Sequence, residues 1–425
     1  MTKRMHLNLN LRGIGFHRAA WRHDTAQPTE VWKLPYYTRI VQAAEKAKLD
    51  AVFLADSPKV YSEREPLAMS NEPLTLLGAL AARTTNIGLI GTVSTTYNDP
   101  YDVALRFASL DHLSGGRVGM NFVTSSGDVI ARNFGYDSHP DFELRYDRAG
   151  EFVDVVTALW AGDYVDHHGR FFDVSGRLPI PPTPQGHPVL VQAGASDRGR
   201  EMAAQRAEAV YTGSSNIPNG LEFYTDVKAR ARRLGRGEGA VKILPGVVPY
   251  VGSTEAEGKA LEAELEDLAI KNIDVIGQLA EELGADFSGY DLDAPFPTEL
   301  FPDHSRWKDG QSRLNRLKAW VRDENLTIRQ LAIKVEKGLR NVHWTIAGSA
   351  EQIADELERW FRAGAADGFN ILVPLHPKGT EDFMEQVVPI LQRRGLFRTE
   401  YDSTTLREHF GLAVPGATRP APPPS

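Results

Sequence analysis

The sequence predicts an α/β chain whose parallel strands and helices alternate until the sheet closes as a (β/α)8 TIM barrel. Two observations carry that expectation. Short β-rich runs alternate with helical stretches through the N-terminal half. Eight such runs occur along the chain, enough for closure. An open doubly wound sheet produces the same alternation, and periodicity alone leaves it as the alternative.

In order, the strands are expected at residues 6–11, 51–54, 87–93, 117–123, 189–192, 209–212, 242–251 and 370–373. Between them the helices announce themselves by caps and stripes. Ser349 and Gln352 form a capping-box pattern ahead of Ile353, Leu357, Trp360 and Phe361, which share one helical face. Thr254 and Glu257 repeat the logic before Leu261, Leu265 and Leu268. Residues 146–160 put Phe152, Val155, Val156 and Leu159 on one side. Two segments exceed the minimal repeat: residues 162–187, rich in Pro, Gly and His, and residues 285–342, with two Pro-rich turns and a charged helical stretch. They are expected as insertions over the C-terminal face, shaping a substrate cavity within a single domain spanning 1–414. Residues 415–425 hold five prolines and too few apolar groups to pack, so this tail is expected to be disordered.

Composition excludes several functions. With 425 residues, 42% of them hydrophobic, the chain can bury a large core in one decorated domain. No run approaches the roughly 20 apolar residues of a membrane span, and the basic start Met1 to Arg4 is not followed by a signal core, so a cytoplasmic protein is expected. The absence of cysteine removes disulfides, iron–sulfur clusters, thiolate zinc sites and thiol nucleophiles. A net charge of -8 without any Lys/Arg run of five argues against nucleic acid or a membrane surface and for small-molecule partners.

Candidate site residues follow from their places at strand ends. Asp56 closes the second strand on the ligand side of a barrel, although an aspartate before Ser57-Pro58 also suits a turn cap. Thr92 leads into the small hydroxylated run Ser94-Thr95-Thr96, where a planar ligand can approach; β-branched Thr is equally at home in any strand. Asn121, with Thr124 to Ser126 beyond it, offers both a donor and an acceptor at the barrel's opening. The run Gly194-Ala195-Ser196 opens a helix after the fifth strand, so its amides and the Ser196 hydroxyl suit a phosphate, while a plain N-cap uses the same residues. His17 follows the first strand and is the candidate general acid or substrate clamp. His167 and His168 are adjacent, with no further ligand at helical spacing, so no metal site is expected. The Gly13 and Gly15 pair lacks a following helix and a third glycine, and is no dinucleotide fingerprint.

Taken together, Phe16 to His23, Phe53 to Asp56, Leu110 to Val118, Asn121 to Ser125, Ala131 to Gly135, Arg145-Tyr146, Pro188 to Gly194, Asp367 to Asn370 and Leu391 to Leu406 resemble one group of proteins. It is the branch of bacterial-luciferase-like flavin monooxygenases that includes nitrilotriacetate monooxygenase, dibenzothiophene-sulfone monooxygenase and the pristinamycin-synthase large subunit. The resemblance implies a barrel that binds FMN non-covalently, receives it as FMNH2 from a separate NAD(P)H:FMN reductase, and uses O2 to oxygenate a small organic substrate. Carried over by motif, the flavin contacts are Asp56, Thr92, Asn121, Tyr146 and Ser196, with Ser196 at the phosphate. Phe142 stands where relatives often carry a flavin-contacting His four residues before the Tyr, and His139 lies nearby. The loops carry aromatic residues and few clustered cations, which points to an uncharged or sulfur-containing substrate. A homodimer or homotetramer is implied, with the segment from Arg393 onward expected to serve assembly. The alternatives are F420-dependent hydride transfer on the same scaffold and flavin binding without turnover.

Overall fold

The structure, a computed structural model, describes residues 4–56, 71–125, 127–272, 274–302, 311–340 and 343–415. It divides into two units, Met1–Lys259 with His343–Ser425, and Ala260–Val342.

In the first unit the strands are β1 His6–Asn10, β2 Ala51–Leu54, β3 Gly88–Ser94, β4 Val118–Val123, β5 Val165–His168, β6 Asp173–Gly176, β7 Val189–Ala193, β8 Ala209–Thr212, β9 Lys242–Gly252, β10 Trp344–Ser349 and β11 Gly368–Ile371. Eight of them run parallel in the order β1-β2-β3-β4-β7-β8-β9-β11, and β11 pairs back with β1. The sheet therefore closes, which eliminates the open doubly wound alternative. β11 begins two residues before the expected start because Gly368 lies against the β1 backbone; a Cβ there would sit 2.0 Å from the His6 carbonyl oxygen. β10 was not expected, and pairs with the second half of β9.

Strand alternation sorts side chains between two cores. Leu7 and Leu9 of β1 join the large cluster beneath the helices, while Asn8 points inward and donates to the Tyr211 hydroxyl at 2.8 Å. The registers around the closed sheet, with the stagger a tilted barrel requires, group inward residues into layers of four from alternate strands. The uppermost layer is Asn10, Thr92, Ala193 and Gly246, with Phe53, Asn121, Tyr211 and Asn370 below it. The Phe53 and Tyr211 rings meet edge-on at 4.5 Å within that second layer.

Below lies an apolar floor of Ala51, Ile90, Val189, Val191, Ala209 and Leu244, plugged by Leu406 and Phe410 from the C-terminal segment. Gly88 admits this plug: a Cβ there would come within 2.5 Å of Leu406 Cδ1. Arg407 is 1% exposed and binds Glu208, the Gln185 carbonyl and the Ala413 carbonyl. Arg398 pairs with buried Asp50, which also accepts from the Leu7 amide at 2.7 Å. Within the segment expected to serve assembly, Leu406, Arg407 and Phe410 are buried against their own barrel. The expected tail lies outside the described residues from 416 onward.

The helices follow their signals. Ser349 and Gln352 make the capping box, and the helix Ala350–Arg362 buries Ile353, Leu357, Trp360 and Phe361. The helix expected from Tyr146 starts a turn earlier, spanning Phe142–Trp160. The first insertion forms the antiparallel hairpin β5-β6. It follows a helix, not a strand, and packs along that helix instead of over the mouth: the Glu151 carboxylate accepts from the Phe171 and Phe172 amides at 3.1 and 2.9 Å, and the Phe152 and Phe172 rings meet at 5.7 Å.

The second unit begins at Ala260, ahead of the insertion expected from 285, because Val275, Leu279 and Leu283 build one apolar cluster with Phe287, Phe296, Leu317, Leu331 and Val335. No helix among the described residues is long and apolar enough to cross a membrane.

Candidate active site at the barrel mouth

The C-terminal strand ends put small or polar side chains into one opening. Thr92 and Asn121 are register partners on β3 and β4, both buried, and Asn121 Nδ2 donates to Thr92 Oγ1 at 2.9 Å. That bond leaves Asn121 Oδ1 buried with no hydrogen-bond partner among the described residues, and the same holds for Asn10 Oδ1 and Asn370 Oδ1. Buried polar atoms are normally paired, so these orphaned amide oxygens, which face the barrel interior from different sides, mark a place that water or a ligand completes.

The loop beyond β4 is tightly held. Ser125 Oγ donates to Ser94 Oγ at 2.8 Å, and Ser125 adopts φ 56°, a left-handed conformation uncommon for a residue with a Cβ. Arg145 Nη1 donates to the Ser125 carbonyl at 2.5 Å, and burial holds the Arg145 pKa below its ordinary value. Arg145 Nε is also buried without a partner among the described residues. Tyr97 stacks on Phe134 at 4.6 Å and bonds His139 Nδ1 at 2.5 Å.

At the end of β7, Ser196 caps the helix Asp197–Arg206 by accepting from the Gly199 amide at 3.1 Å. The cap reading is therefore correct, and the ligand reading stands beside it. The Tyr146 hydroxyl lies 3.3 Å from Ser196 Oγ although 50 residues separate them in sequence. The first amides of this helix have no intrahelical acceptor, and the Asp197 carboxylate that would repel an anion there is bound by Arg230 at 2.6 Å. Phe142 is 43% exposed and its ring sits 4.8 Å from that of Tyr146, so it supplies an apolar contact where a His would supply a hydrogen bond.

The expected residues fall into two groups, Thr92 with Asn121 on the inner wall and Phe142, Tyr146 and Ser196 at the helix ends. Asp56 stands two residues past β2 at the same end of the barrel, where the described stretch stops. His17 is 4% exposed in the loop after β1; its amide donates to the Pro374 carbonyl at 3.0 Å and its Nδ1 accepts from the Ala19 amide at 3.2 Å. Asn10 and Asn370 were missed, although the polar inward positions of Asn8-Leu9-Asn10 carried a period-two signal. A cavity of about 360 Å³, lined by Tyr146 together with residues including Glu151, Arg170, Arg198 and Arg206, lies between the hairpin and the helices. No group of three or more His, Cys, Asp or Glu able to hold a metal exists among the described residues.

Comparison with known proteins agrees with this architecture. The family model for luciferase-like monooxygenases matches residues 16–367. Nitrilotriacetate monooxygenase component A of Aminobacter aminovorans is 43% identical, over 97% of this chain and 98% of its own length. The solved EDTA monooxygenase from Chelativorans sp. BNC1 superposes with a TM-score of 0.78 at 35% identity, covering 96% of this chain and 99% of that one. A solved riboflavin lyase with modified FMN and riboflavin superposes at 0.79 with 30% identity, covering 96% of each chain. A solved F420-dependent tetrahydromethanopterin reductase from Methanopyrus kandleri, at 14% identity, shares the fold alone. With a family match over most of its length and relatives aligned end to end, the chain belongs to the luciferase-like monooxygenases, and it is an oxidoreductase of that family.

Proposed function

We propose that the mouth binds FMN, delivered reduced by a separate NAD(P)H:FMN reductase, and that the enzyme inserts one atom of O2 into a small organic substrate. The observation that carries this reading is the convergence of Tyr146 and Ser196 at a helix N-terminus directly after a barrel strand. The orphaned oxygens of Asn10 and Asn121 fit an aromatic ring edge that offers N–H groups, and Ala193 adds only a methyl group to the uppermost layer.

When bound, the reduced flavin supplies the electrons and the site of O2 activation. The protein's share is positioning and shielding. Ser196, Tyr146 and the first amides of the helix Asp197–Arg206 hold the phosphate, and Thr92 with Asn121 fixes the ring edge. Asp56 and His17 border the same opening, His17 as the candidate clamp on substrate. Phe53 beneath and Phe16 in the loop after β1 present apolar surface that limits water.

The test mixes the protein with photoreduced FMN and then O2 while flavin absorbance is followed by stopped flow. Binding should change the rate at which oxidised flavin returns. Return at the rate of free flavin, whatever the protein concentration, would sink the proposal.

A further inference from the structure

Gly246 belongs to the uppermost inward layer on β9. In the closed order of eight strands, β9 stands four strands from β3 in either direction, so Gly246 faces Thr92 across the mouth. What fills the space above it is His343, the residue ahead of β10: a Cβ on Gly246 would lie 2.3 Å from His343 Nδ1 and 2.6 Å from Leu372 Cδ1. The imidazole is also edge-on to Phe16 at 5.5 Å, in the loop that carries His17.

His343 differs from the buried histidines that serve structure. His376 bonds the Thr380 hydroxyl at 2.7 Å through Nδ1 and lies 3.3 Å from the Asn10 carbonyl through Nε2. His409 contacts the Asp50 and Ser403 carbonyls. His343 Nδ1 is buried yet has no partner among the described residues. Burial first, and then the charge of Arg12, lowers its pKa to about 4, so the ring is neutral near pH 7. A neutral imidazole nitrogen can accept from an N–H or donate to a carbonyl, and the pyrimidine edge of a flavin offers both.

We propose that His343 is a cofactor contact, making one hydrogen bond to the flavin ring from the wall that faces Thr92, with Gly246 kept free of a side chain so that the imidazole can stand there. This rests on the FMN reading above. It adds a residue that neither the motifs nor the strand ends pointed to, because His343 precedes its strand instead of ending one.

The experiment measures FMN affinity, oxidised and photoreduced, by fluorescence titration of the full chain. Three variants are compared: His343→Phe keeps a ring without nitrogen, His343→Asn keeps a polar nitrogen near the place of Nδ1, and Ser196→Asp serves as the phosphate-end control. His343→Phe should raise the FMN dissociation constant about tenfold, the scale of one net hydrogen bond, and His343→Asn should recover most of it. In parallel, 15N-histidine spectra of the wild type should show one imidazole resonance that moves when FMN is added and that is missing from His343→Asn. This second readout decides the matter if His343→Phe fails to fold. Unchanged affinity in folded His343→Phe, or an unmoved His343 resonance, overturns the proposal; if Ser196→Asp still weakens binding, the FMN reading survives. A wild type that does not bind FMN overturns both.

Discussion

Ser196 separates two roles that sequence alone superimposes, capping a helix and holding a phosphate. Aspartate caps about as well as serine, so Ser196→Asp should preserve the bond from the Gly199 amide and leave stability intact. It adds one negative charge where the phosphate is proposed to sit. At about 4 Å two unit charges interact by roughly 1 kcal/mol in water and about 4 kcal/mol at an effective dielectric near 20. Ser196 is exposed at the mouth, which favours the lower half of that range. About 2 kcal/mol then corresponds to a roughly 30-fold weaker FMN complex, since about 1.4 kcal/mol is tenfold. Ser196→Ala should do the converse, lowering stability by about 1 kcal/mol through the lost cap while weakening FMN only several-fold. Calorimetric titration at low and high salt, together with urea unfolding, measures both effects, and the Asp penalty should shrink as salt rises. Wild-type affinity in Ser196→Asp, or an affinity loss that merely tracks a stability loss, refutes the phosphate assignment.

Gly246→Val should overpack the mouth against His343 and Leu372, costing about 1–3 kcal/mol in urea unfolding and weakening FMN; a neutral outcome in both assays would mean that the imidazole moves aside freely. Arg407→Ala leaves the Glu208 carboxylate buried without its guanidinium, so a loss of about 3–5 kcal/mol is expected, partly relieved by adding Glu208→Gln; a loss within the error of unfolding curves would show the pair to be idle. Burial lowers the His376 pKa to about 4, below the value of about 6.5 in an unfolded chain. The unfolded state therefore binds the extra proton more tightly. Stability should fall as pH drops through that window, and His376→Asn should remove about one proton from the slope measured by urea titration at stepped pH. Below about pH 4 a second decline should begin. Burial works to raise the Glu208 and Asp50 pKa values, but Arg407 for one, and Arg398 with His6 for the other, outweigh it and hold both low. Their stabilisation is therefore full above the unfolded carboxylate pKa and lost as pH falls through the folded values.

Much of the barrel was legible because each barrel strand is a short β-rich run bounded by turn residues or helix caps. Residues 51–54 and 209–212 were read to the residue. Closure was expected from the count of eight runs, but periodicity left the open sheet beside it, because closure depends on β9 pairing with both β8 and β11, a long-range fact with no local signature. β10 escaped because Trp344 to Ser349 pairs with β9 through an even mixture of half-buried residues, with no alternating stripe. The hairpin was misplaced for a topological reason, having been assigned the mouth as if it followed a strand, when it leaves the helix Phe142–Trp160. Within the site, Thr92, Asn121 and Ser196 were readable from strand-end position, whereas the nearness of Tyr146 to Ser196 came only from motif resemblance. His343 had no signal, because its place depends on a glycine on another strand.

The two ends of the barrel bury different kinds of polar group, charged pairs at the floor and amides with an imidazole at the mouth, and the difference has a consequence. At the floor, Asp50 is paired with Arg398 and Glu208 with Arg407, while Arg398 Nη1 is buried without a partner among the described residues. At the mouth, Asn10, Asn121, Asn370 and His343 each carry a buried polar atom without a partner among the described residues. Each such atom costs about 1–3 kcal/mol if nothing satisfies it, a large part of the net stability of a marginally stable fold. A ligand that completes the mouth should then stabilise the whole barrel in proportion to its affinity, while a weakened floor lowers the baseline without touching affinity. Substitutions at the two ends should combine additively in FMN-dependent unfolding, as independent sites do. If Arg407→Ala instead changed the FMN dissociation constant, the floor would be setting strand tilt at the mouth, and the plug would have to be counted as part of the active site.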